Sequence, residues 1–168
     1  MWYAVQVVTG EESQTAVYCR RRIDSEILED IFYPETEVMK RYEGKWHKHT
    51  KPMFPGYVFM VTESVAELYE ELKKIPKLSK ILGTDRTPVA LSDDEVKLIQ
   101  KITNRDHVAE ISVGFIEGDK LMIESGPLQG MEGMVQKIDR HKRTAQVTVE
   151  MFGRKVDMTL GLEVLKKN

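Results

Sequence analysis

The spacing of hydrophobic and polar positions along the chain changes near residue 104. Before it, short β-branched or aromatic runs alternate with segments whose apolar residues recur every three or four positions, which is typical of strands and helices in alternation. After it, apolar residues recur at every second position, most clearly between Ala145 and Met151. The pattern predicts a mixed α/β domain over residues 1–103, a linker over residues 104–117, and a small β-barrel over residues 118–168.

The first fifty residues predict a strand, a helix and a hairpin. Trp2 to Thr9 is an apolar, β-branched run, and Ile31 to Arg41 predicts a second strand that turns back through Trp46 to Lys51. The helix lies between the two strands. Its apolar stripe contains Ala16, Cys19, Ile23 and Ile27. Because Cys19 lies on that stripe, we expect a buried and unreactive thiol.

Two further helices are predicted by capping boxes, in which the first and fourth residues exchange hydrogen bonds with each other's backbone. One box, Ser64–Glu67, opens a helix that stops at Pro76, and the other, Ser92–Glu95, opens a helix through Thr103. Residues 81–83 and 88–89 suggest short extended pieces between them. The two glycines and broken periodicity from Asn104 onward indicate the linker.

The predicted hairpin is strongly basic. Five Lys or Arg residues lie between Lys40 and Lys51, against the single acid Glu43, and Trp46 adds an aromatic ring. Such a hairpin is typical of an arm that contacts phosphate or a protein partner. His47 and His49 are weak evidence for a metal site, since no cysteine or carboxylate cluster accompanies them.

The stretch Phe54-Pro55-Gly56-Tyr57-Val58-Phe59 follows the hairpin and continues to Val61 as an unbroken aromatic and β-branched run. The run predicts a strand covered on both faces after a tight turn at Gly56. This stretch resembles the central strand of the N-terminal domain of NusG-family transcription elongation factors. That resemblance implies docking on the clamp helices of bacterial RNA polymerase through Phe54, Tyr57 and Phe59.

Two later stretches strengthen the resemblance to the NusG family. Residues 126–143, which begin Gly-Pro-Leu-Gln-Gly, resemble a KOW motif, and Phe152-Gly153-Arg154 matches a later turn of the same family. The resemblance covers nearly the whole chain and implies an α+β fold, with an N-terminal NGN α/β sandwich and a C-terminal SH3-like KOW β-barrel. It also implies a ribosomal protein or a termination factor as a further partner of the barrel.

The helix after the central strand, Ser64 to Ile75, lacks the Trp and Arg that general NusG proteins usually carry there. This departure resembles specialised paralogs such as the LoaP antiterminators, and implies recruitment by a nascent RNA hairpin, with non-template DNA as the alternative signal. The predicted nucleic-acid-binding residues form basic clusters in both domains. They are Arg20, Arg21, Arg22, Lys73, Lys74, Lys77, Lys137, Arg140, His141, Lys142, Arg143, Arg154 and Lys155.

Composition narrows the function classes. A net charge of −2 disfavours a ribosome-associated KOW protein, because ribosomal proteins are normally strongly basic. The single cysteine excludes an internal disulfide, and the sequence has neither an apolar run long enough to span a membrane nor a leader pattern, so we expect a cytoplasmic protein. We also expect a monomer. The sequence shows no nucleophile–base pair, no phosphate loop and no cluster of metal ligands, so we expect neither an enzyme nor a bound cofactor. An antitermination factor, a general NusG-type factor and a ribosome-associated protein stay open, in that order.

Overall fold

The computed structural model describes residues 1–78 and 88–166, and these divide into two units that are discontinuous in sequence. The first unit comprises Met1–Tyr33 and Phe54–Val96, and the second comprises Pro34–Met53 and Lys97–Asn168. The predicted class, a mixed α and β fold with a small C-terminal β-barrel, is confirmed.

The elements of the N-terminal part are, in chain order, β1 (Trp2–Gln6), α1 (Glu12–Arg22), β2 (Asp30–Phe32), β3 (Glu35–Tyr42), β4 (Lys45–Pro52), β5 (Tyr57–Val61), α2 (Val65–Lys73), β6 (Val89–Ala90) and α3 (Asp93–Ile102). The later elements are β7 (Val108–Ala109), β8 (Ser112–Glu117), β9 (Lys120–Ser125), a single 3-10 turn (Glu132–Met134), β10 (Val135–Asp139), β11 (Thr144–Met151) and β12 (Arg154–Leu165). The described helices are all too short or too polar to cross a membrane.

The first unit is built on a four-stranded sheet with the order β2-β5-β1-β6. Its β5 pairs antiparallel with both β1 and β2, so the central run predicted from residue 57 lies in the middle of the sheet. One face of this sheet packs against helices α1 and α2. The core there contains Val5, Val58, Met60, Leu68 and Leu72, all at most 1% exposed.

Helix α1 is shorter than predicted. It ends at Arg22, so Ile27, which the apolar stripe assigned to the helix, lies beyond its end. The Asp24 side chain accepts the backbone N–H of Glu26 at 2.9 Å, and its carbonyl accepts those of Ile27 and Leu28. Aspartate favours such a turn because its short carboxylate competes with helical hydrogen bonds. Ile27 still packs against the core from this turn.

The single strand predicted from Ile31 to Arg41 is wrong, since the chain forms β2 and β3 in two different sheets. The break falls at Tyr33 and Pro34, and proline cannot donate a ladder hydrogen bond. Beyond the break, Glu35 donates its N–H to the carbonyl of His107 at 2.8 Å.

The two predicted capping boxes have different outcomes. At α3 the box is confirmed, with the Ser92 N–H donating to Glu95 at 3.0 Å and the Glu95 N–H donating to Ser92 at 3.2 Å. At α2 the helix does begin after Ser64, but no side-chain capping bond forms there. Instead the Thr62 hydroxyl accepts the Ser64 N–H at 2.8 Å. The piece predicted at residues 81–83 lies outside the described residues, and β6 covers part of the piece at residues 88–89.

The second unit combines the basic hairpin (β3 and β4) with the C-terminal barrel sheet, whose order is β10-β11-β12-β8-β9. The predicted hairpin is confirmed, and Glu43 and Gly44 both have positive φ, as a type I′ hairpin turn requires. The segment predicted as a linker holds two strands. Its β7 pairs in parallel with β3, and its β8 pairs in parallel with β12, so the barrel sheet begins at Ser112.

Glu37 and Gly161 hold the hairpin against the barrel sheet. The Glu37 carboxylate accepts the backbone N–H of Ile111 at 3.1 Å. A Cβ at Gly161 would overlap the Glu37 carbonyl oxygen and would lie 2.8 Å from Ile111 Cγ1. Because glycine has no side chain, β3 can pass this close to β12.

The start of the KOW-like stretch closes the barrel core. Leu128 is fully buried and donates its N–H to the buried Ser112 hydroxyl at 3.0 Å, and Met131 is also buried. Gly126, at φ +104, lies so close to Ser112 that a Cβ would come within 2.5 Å of the Ser112 Cα. This part of the stretch therefore has a structural role.

Candidate functional site

A buried glutamate positions the turn that precedes the central strand β5. Glu12 is 2% exposed, and its carboxylate accepts the N–H of Gly10 at 2.6 Å and the N–H of Gly56 at 3.3 Å. Gly56 has φ +86, and its carbonyl accepts the N–H of Val7 at 2.8 Å. Sequence reasoning missed Glu12, because an acid in the first turn of a helix ordinarily indicates only a favourable dipole interaction.

Phe54, Tyr57 and Phe59 are brought together on the side of the sheet opposite the helices. Phe59 is paired with Ala4 and Phe32, and Tyr57 precedes Phe59 by two residues, so both side chains point to this aromatic face. The Phe59 ring lies 5.8 Å from that of Phe54 and 5.7 Å from that of Phe32. These separations are typical of aromatic pairs that stabilise a core.

Two of the three aromatic side chains to which the family resemblance assigns docking are buried in the free chain. Phe54 is 3% exposed and Phe59 is fully buried, because they pack within an aromatic cluster instead of projecting to solvent. Tyr57 is half-buried, as is Trp2 on the same face. Val89, which pairs with Ala4 on this face, is 45% exposed. The partly accessible apolar side chains of the aromatic face are therefore Trp2, Tyr57, Val61 and Val89.

The three arginines of α1 differ in their surroundings. Arg20 donates to the carbonyl of Ile31 at 2.7 Å and so ties the helix to β2. Arg21 and Arg22 are exposed, and the Arg22 guanidinium lies 5.1 Å from the centre of the Tyr18 ring. All three arginines are exposed, and Arg20 differs from the other two because its guanidinium is also bound to the backbone of β2.

The lysines around the end of α2 pair with glutamates. Lys73 pairs with Glu70 at 3.2 Å, and Lys74 pairs with Glu71 at 2.9 Å. The third, Lys77, pairs with Glu11 at 2.9 Å. Glu11 precedes α1, and roughly 15 Å of helix separates it from the arginines at the other end. The structure thus does not join Lys77 to the α1 arginines in one patch.

The turn between β10 and β11 carries four basic residues in sequence, Arg140, His141, Lys142 and Arg143. Asp139 shapes this turn, since its carboxylate accepts the Lys142 N–H at 2.9 Å, and this hydrogen bond holds the pKa of the Asp139 carboxyl below its usual value. The Arg143 guanidinium lies 4.0 Å from the centre of the Trp46 ring, a cation–π contact between the barrel and the basic hairpin.

Arg154 and Lys155 lie at the opposite end of β11 from this turn. Arg154 pairs with Met151 and Lys155 with Glu150, directly after the turn at Gly153. The length of β11 places them roughly 23 Å from Arg143, at about 3.3 Å for each residue. The two basic turns of the barrel therefore form separate surfaces.

Lys51 of the basic hairpin joins two of the predicted barrel residues at one polar cavity. Lys51, Lys137 and Lys142 line it together with Asp139, Thr144, Gln146 and Thr159. Desolvation lowers the pKa of the Lys51 ammonium, and the charges of Lys40 and Lys142 lower it further. The hairpin's basic composition was visible in the sequence, whereas its meeting with the barrel turn was not.

Cys19 has the buried environment predicted for it. The residue is fully buried in the core of the first unit, and burial raises the pKa of its thiol to about 11. A thiol protonated at neutral pH is a poor nucleophile.

This chain is similar to known proteins in both sequence and fold. The family model described as "NusG: Transcription termination factor nusG" matches residues 1–100. The Transcription termination/antitermination protein NusG of Thermus thermophilus is 30% identical, covering 99% of this chain and 97% of its own length. The protein of the same description from Buchnera aphidicola is 29% identical, covering 99% and 96%. The solved structure "Domain interaction in Thermotoga maritima NusG" shares the fold, with TM-score 0.53, 22% identity, and coverage of 95% and 92%.

Proposed function

Because the chain belongs to the NusG family of transcription termination and antitermination factors, we propose that it binds bacterial RNA polymerase and suppresses pausing and termination. The observation that carries the proposal is the aromatic face beside β5. It lies on the strand that resembles the polymerase-docking strand of the family, and Tyr57 stays partly accessible there. A protein bound on both sides of the polymerase cleft would oppose its opening, which is a binding role without catalysis or cofactor.

The buried members of the aromatic face support docking indirectly. Phe54 and Phe59 fix the shape of the face by packing against each other and, in the case of Phe59, against Phe32. Tyr57 then offers a partly accessible contact on a face of fixed shape, and Trp2 and Val89 lie elsewhere on the same face. Ordered aromatic anchors contribute strongly to protein interfaces, since little conformational entropy is lost when they bind.

The proposed recruiting signal is a hairpin in the nascent RNA, as the resemblance to the LoaP antiterminators implies. Exposed basic groups in both units support contact with nucleic acid. They are Arg20, Arg21 and Arg22 on α1, and Arg140, His141 and Lys142 in the turn between β10 and β11. The barrel would also provide the surface for a ribosomal protein or a termination factor, as the family resemblance implies.

Substitution of Tyr57 tests the docking surface. We expect Tyr57→Ala to weaken binding to purified bacterial RNA polymerase by roughly tenfold or more, as for a central aromatic anchor. Binding can be measured by biolayer interferometry, and read-through of an intrinsic terminator should fall in parallel.

Tyr3→Ala is the matched control. Tyr3 is also a half-buried tyrosine of the same sheet, but its pairing with Met60 places it on the opposite face. Circular dichroism would show that both variants fold. Equal affinity of folded Tyr57→Ala and wild-type protein for polymerase would contradict docking through the aromatic face.

A general NusG-type elongation factor is the second candidate. It is favoured by the match to Thermus thermophilus NusG over nearly the whole of both chains. The two candidates differ in their need for a signal. A general factor would suppress pausing on any template, whereas a specialised antiterminator would act only on templates that encode the recruiting RNA hairpin.

A further inference from the structure

Three lysines from separate segments of the second unit line one polar cavity, which we call the lysine cavity. Lys51 comes from the end of β4, Lys137 from β10, and Lys142 from the turn between β10 and β11. The remaining lining residues are polar or acidic, namely Asp139, Thr144, Gln146 and Thr159. A cavity with this lining favours a small anion over an apolar ligand.

The barrel sheet sets the spacing of the donor groups in the lysine cavity. Lys137 pairs with Gln146, and Gln146 pairs with Thr159, so the three residues form one row across β10, β11 and β12. Neighbouring strands lie about 4.8 Å apart, so the row offers an ammonium, an amide and a hydroxyl at regular intervals. The alternate residues Ala145 and Val147 are buried in the barrel core, which fixes the outward direction of the row.

The charges of the lysine cavity are unbalanced. Asp139 is the one carboxylate among the lining residues, and its oxygen already accepts the Lys142 backbone N–H. Three ammonium groups against one carboxylate leave a net charge of +2. Desolvation, together with repulsion from Lys40 and Lys142, lowers the pKa of Lys51, so the folded chain holds these cations together at a cost. A bound anion would relieve that repulsion.

We propose that the lysine cavity binds a phosphate group of a nucleic-acid backbone, with Lys51, Lys137 and Lys142 as the charged donors. The proposal rests on the proposed recruitment by nucleic acid and deepens it, because it names the chemical group bound and the residues that bind it. Phosphate oxygens accept hydrogen bonds from lysine, and Gln146 and Thr159 supply neutral donors beside the ammonium groups. The hairpin and the barrel would hold the same backbone, and the Arg143–Trp46 contact keeps the two segments together.

Binding to labelled stem-loops tests the proposal. Fluorescence anisotropy of the full chain would compare Lys51→Gln and Lys142→Gln with the control Lys120→Gln, an exposed lysine of β9 outside the cavity. The probes are a GC-rich RNA stem-loop and a DNA stem-loop of the same sequence, titrated over a series of salt concentrations. We expect each cavity variant to bind roughly tenfold more weakly, and the slope of log K against log salt to become shallower by about 0.9 for each phosphate that the variant no longer neutralises.

The outcomes separate this proposal from the proposed function. If wild-type protein binds a stem-loop and the cavity variants bind it with unchanged affinity and slope, the phosphate site is wrong while recruitment by nucleic acid stands. If wild-type protein binds neither stem-loop, both are wrong, whereas polymerase docking is judged separately by Tyr57→Ala. Weaker binding of the RNA stem-loop alone assigns the cavity to RNA, and weaker binding of both assigns it to the phosphate backbone shared by RNA and DNA.

Discussion

Replacing Gly161 with alanine should loosen the basic hairpin from the barrel sheet. The new Cβ would overlap the Glu37 carbonyl oxygen and come within 2.8 Å of Ile111 Cγ1. Backbone atoms cannot rotate aside as a flexible side chain does, so β3 or β12 must shift. Overpacking of this kind costs about 1–3 kcal/mol, and replacing a strand glycine returns roughly 0.5–1 kcal/mol. We therefore expect a net destabilisation of about 1–2 kcal/mol.

Urea unfolding measures the effect of Gly161→Ala. With a urea dependence of about 1–3 kcal/mol per molar, the unfolding midpoint should fall by roughly 1 M. The indole N–H resonance of Trp46 would report the hairpin directly, because the Arg143 guanidinium lies over that ring. Only two tryptophans are present, so the resonance is simple to assign.

Gly133→Ala is the matched control. Gly133 has no neighbouring atom within 4 Å of an added Cβ and no positive φ. Alanine there should leave stability unchanged or raise it by up to about 1 kcal/mol. If Gly161→Ala unfolds at the wild-type urea concentration with an unshifted Trp46 resonance, the close packing of β3 on β12 is refuted.

Three further predictions concern buried or charged groups. Glu12→Ala should destabilise the chain by about 1–3 kcal/mol, since the N–H groups of Gly10 and Gly56 lose their acceptor, and hydrogen exchange at Gly56 should accelerate. The folded-state pKa of Lys51 lies below 10.5, so protonated Lys51 destabilises the fold. The free energy of unfolding should therefore rise as the pH increases from the folded-state pKa towards 10.5. Thermal melts across this pH range should show the rise for the wild-type protein and not for Lys51→Gln. The Cys19 thiol, with its pKa raised to about 11, should react with an aromatic disulfide reagent only on unfolding, so a fast reaction of the native protein would contradict its burial.

The local sequence pattern predicts the helices and strands that are stabilised mainly by interactions between neighbouring residues. The alternation from Ala145 to Met151 predicts β11, because strand residues alternate between a buried and an outward face whatever their partner strand. The Ser92–Glu95 capping box predicts the start of α3, since both partners lie within one helical turn. The same reasoning misplaces the end of α1, where a turn at Asp24 competes with the helix over only a few residues.

The hydrophobic pattern alone also indicated that the middle of β5, from Val58 to Met60, is covered on both faces. It does not say what covers the strand, and the docking role that the family resemblance implies for Phe54 and Phe59 does not reveal that both pack in an aromatic cluster. Burial depends on residues distant in sequence, here Phe32 and Trp2. A family resemblance can indicate a residue's role without indicating whether the free chain leaves its side chain accessible.

The lysine cavity was decided by tertiary structure. The basic composition of the hairpin and of the turn at residues 140–143 is plain in the sequence, yet Lys51 and Lys142 line one cavity because the hairpin packs on the barrel, where Gly161 lets β3 pass close to β12. That approach depends on the packing of strands more than one hundred residues apart in the chain, for which no local period exists. Composition determined that this protein has basic segments, and the packing of the hairpin on the barrel decided which of their charges act together.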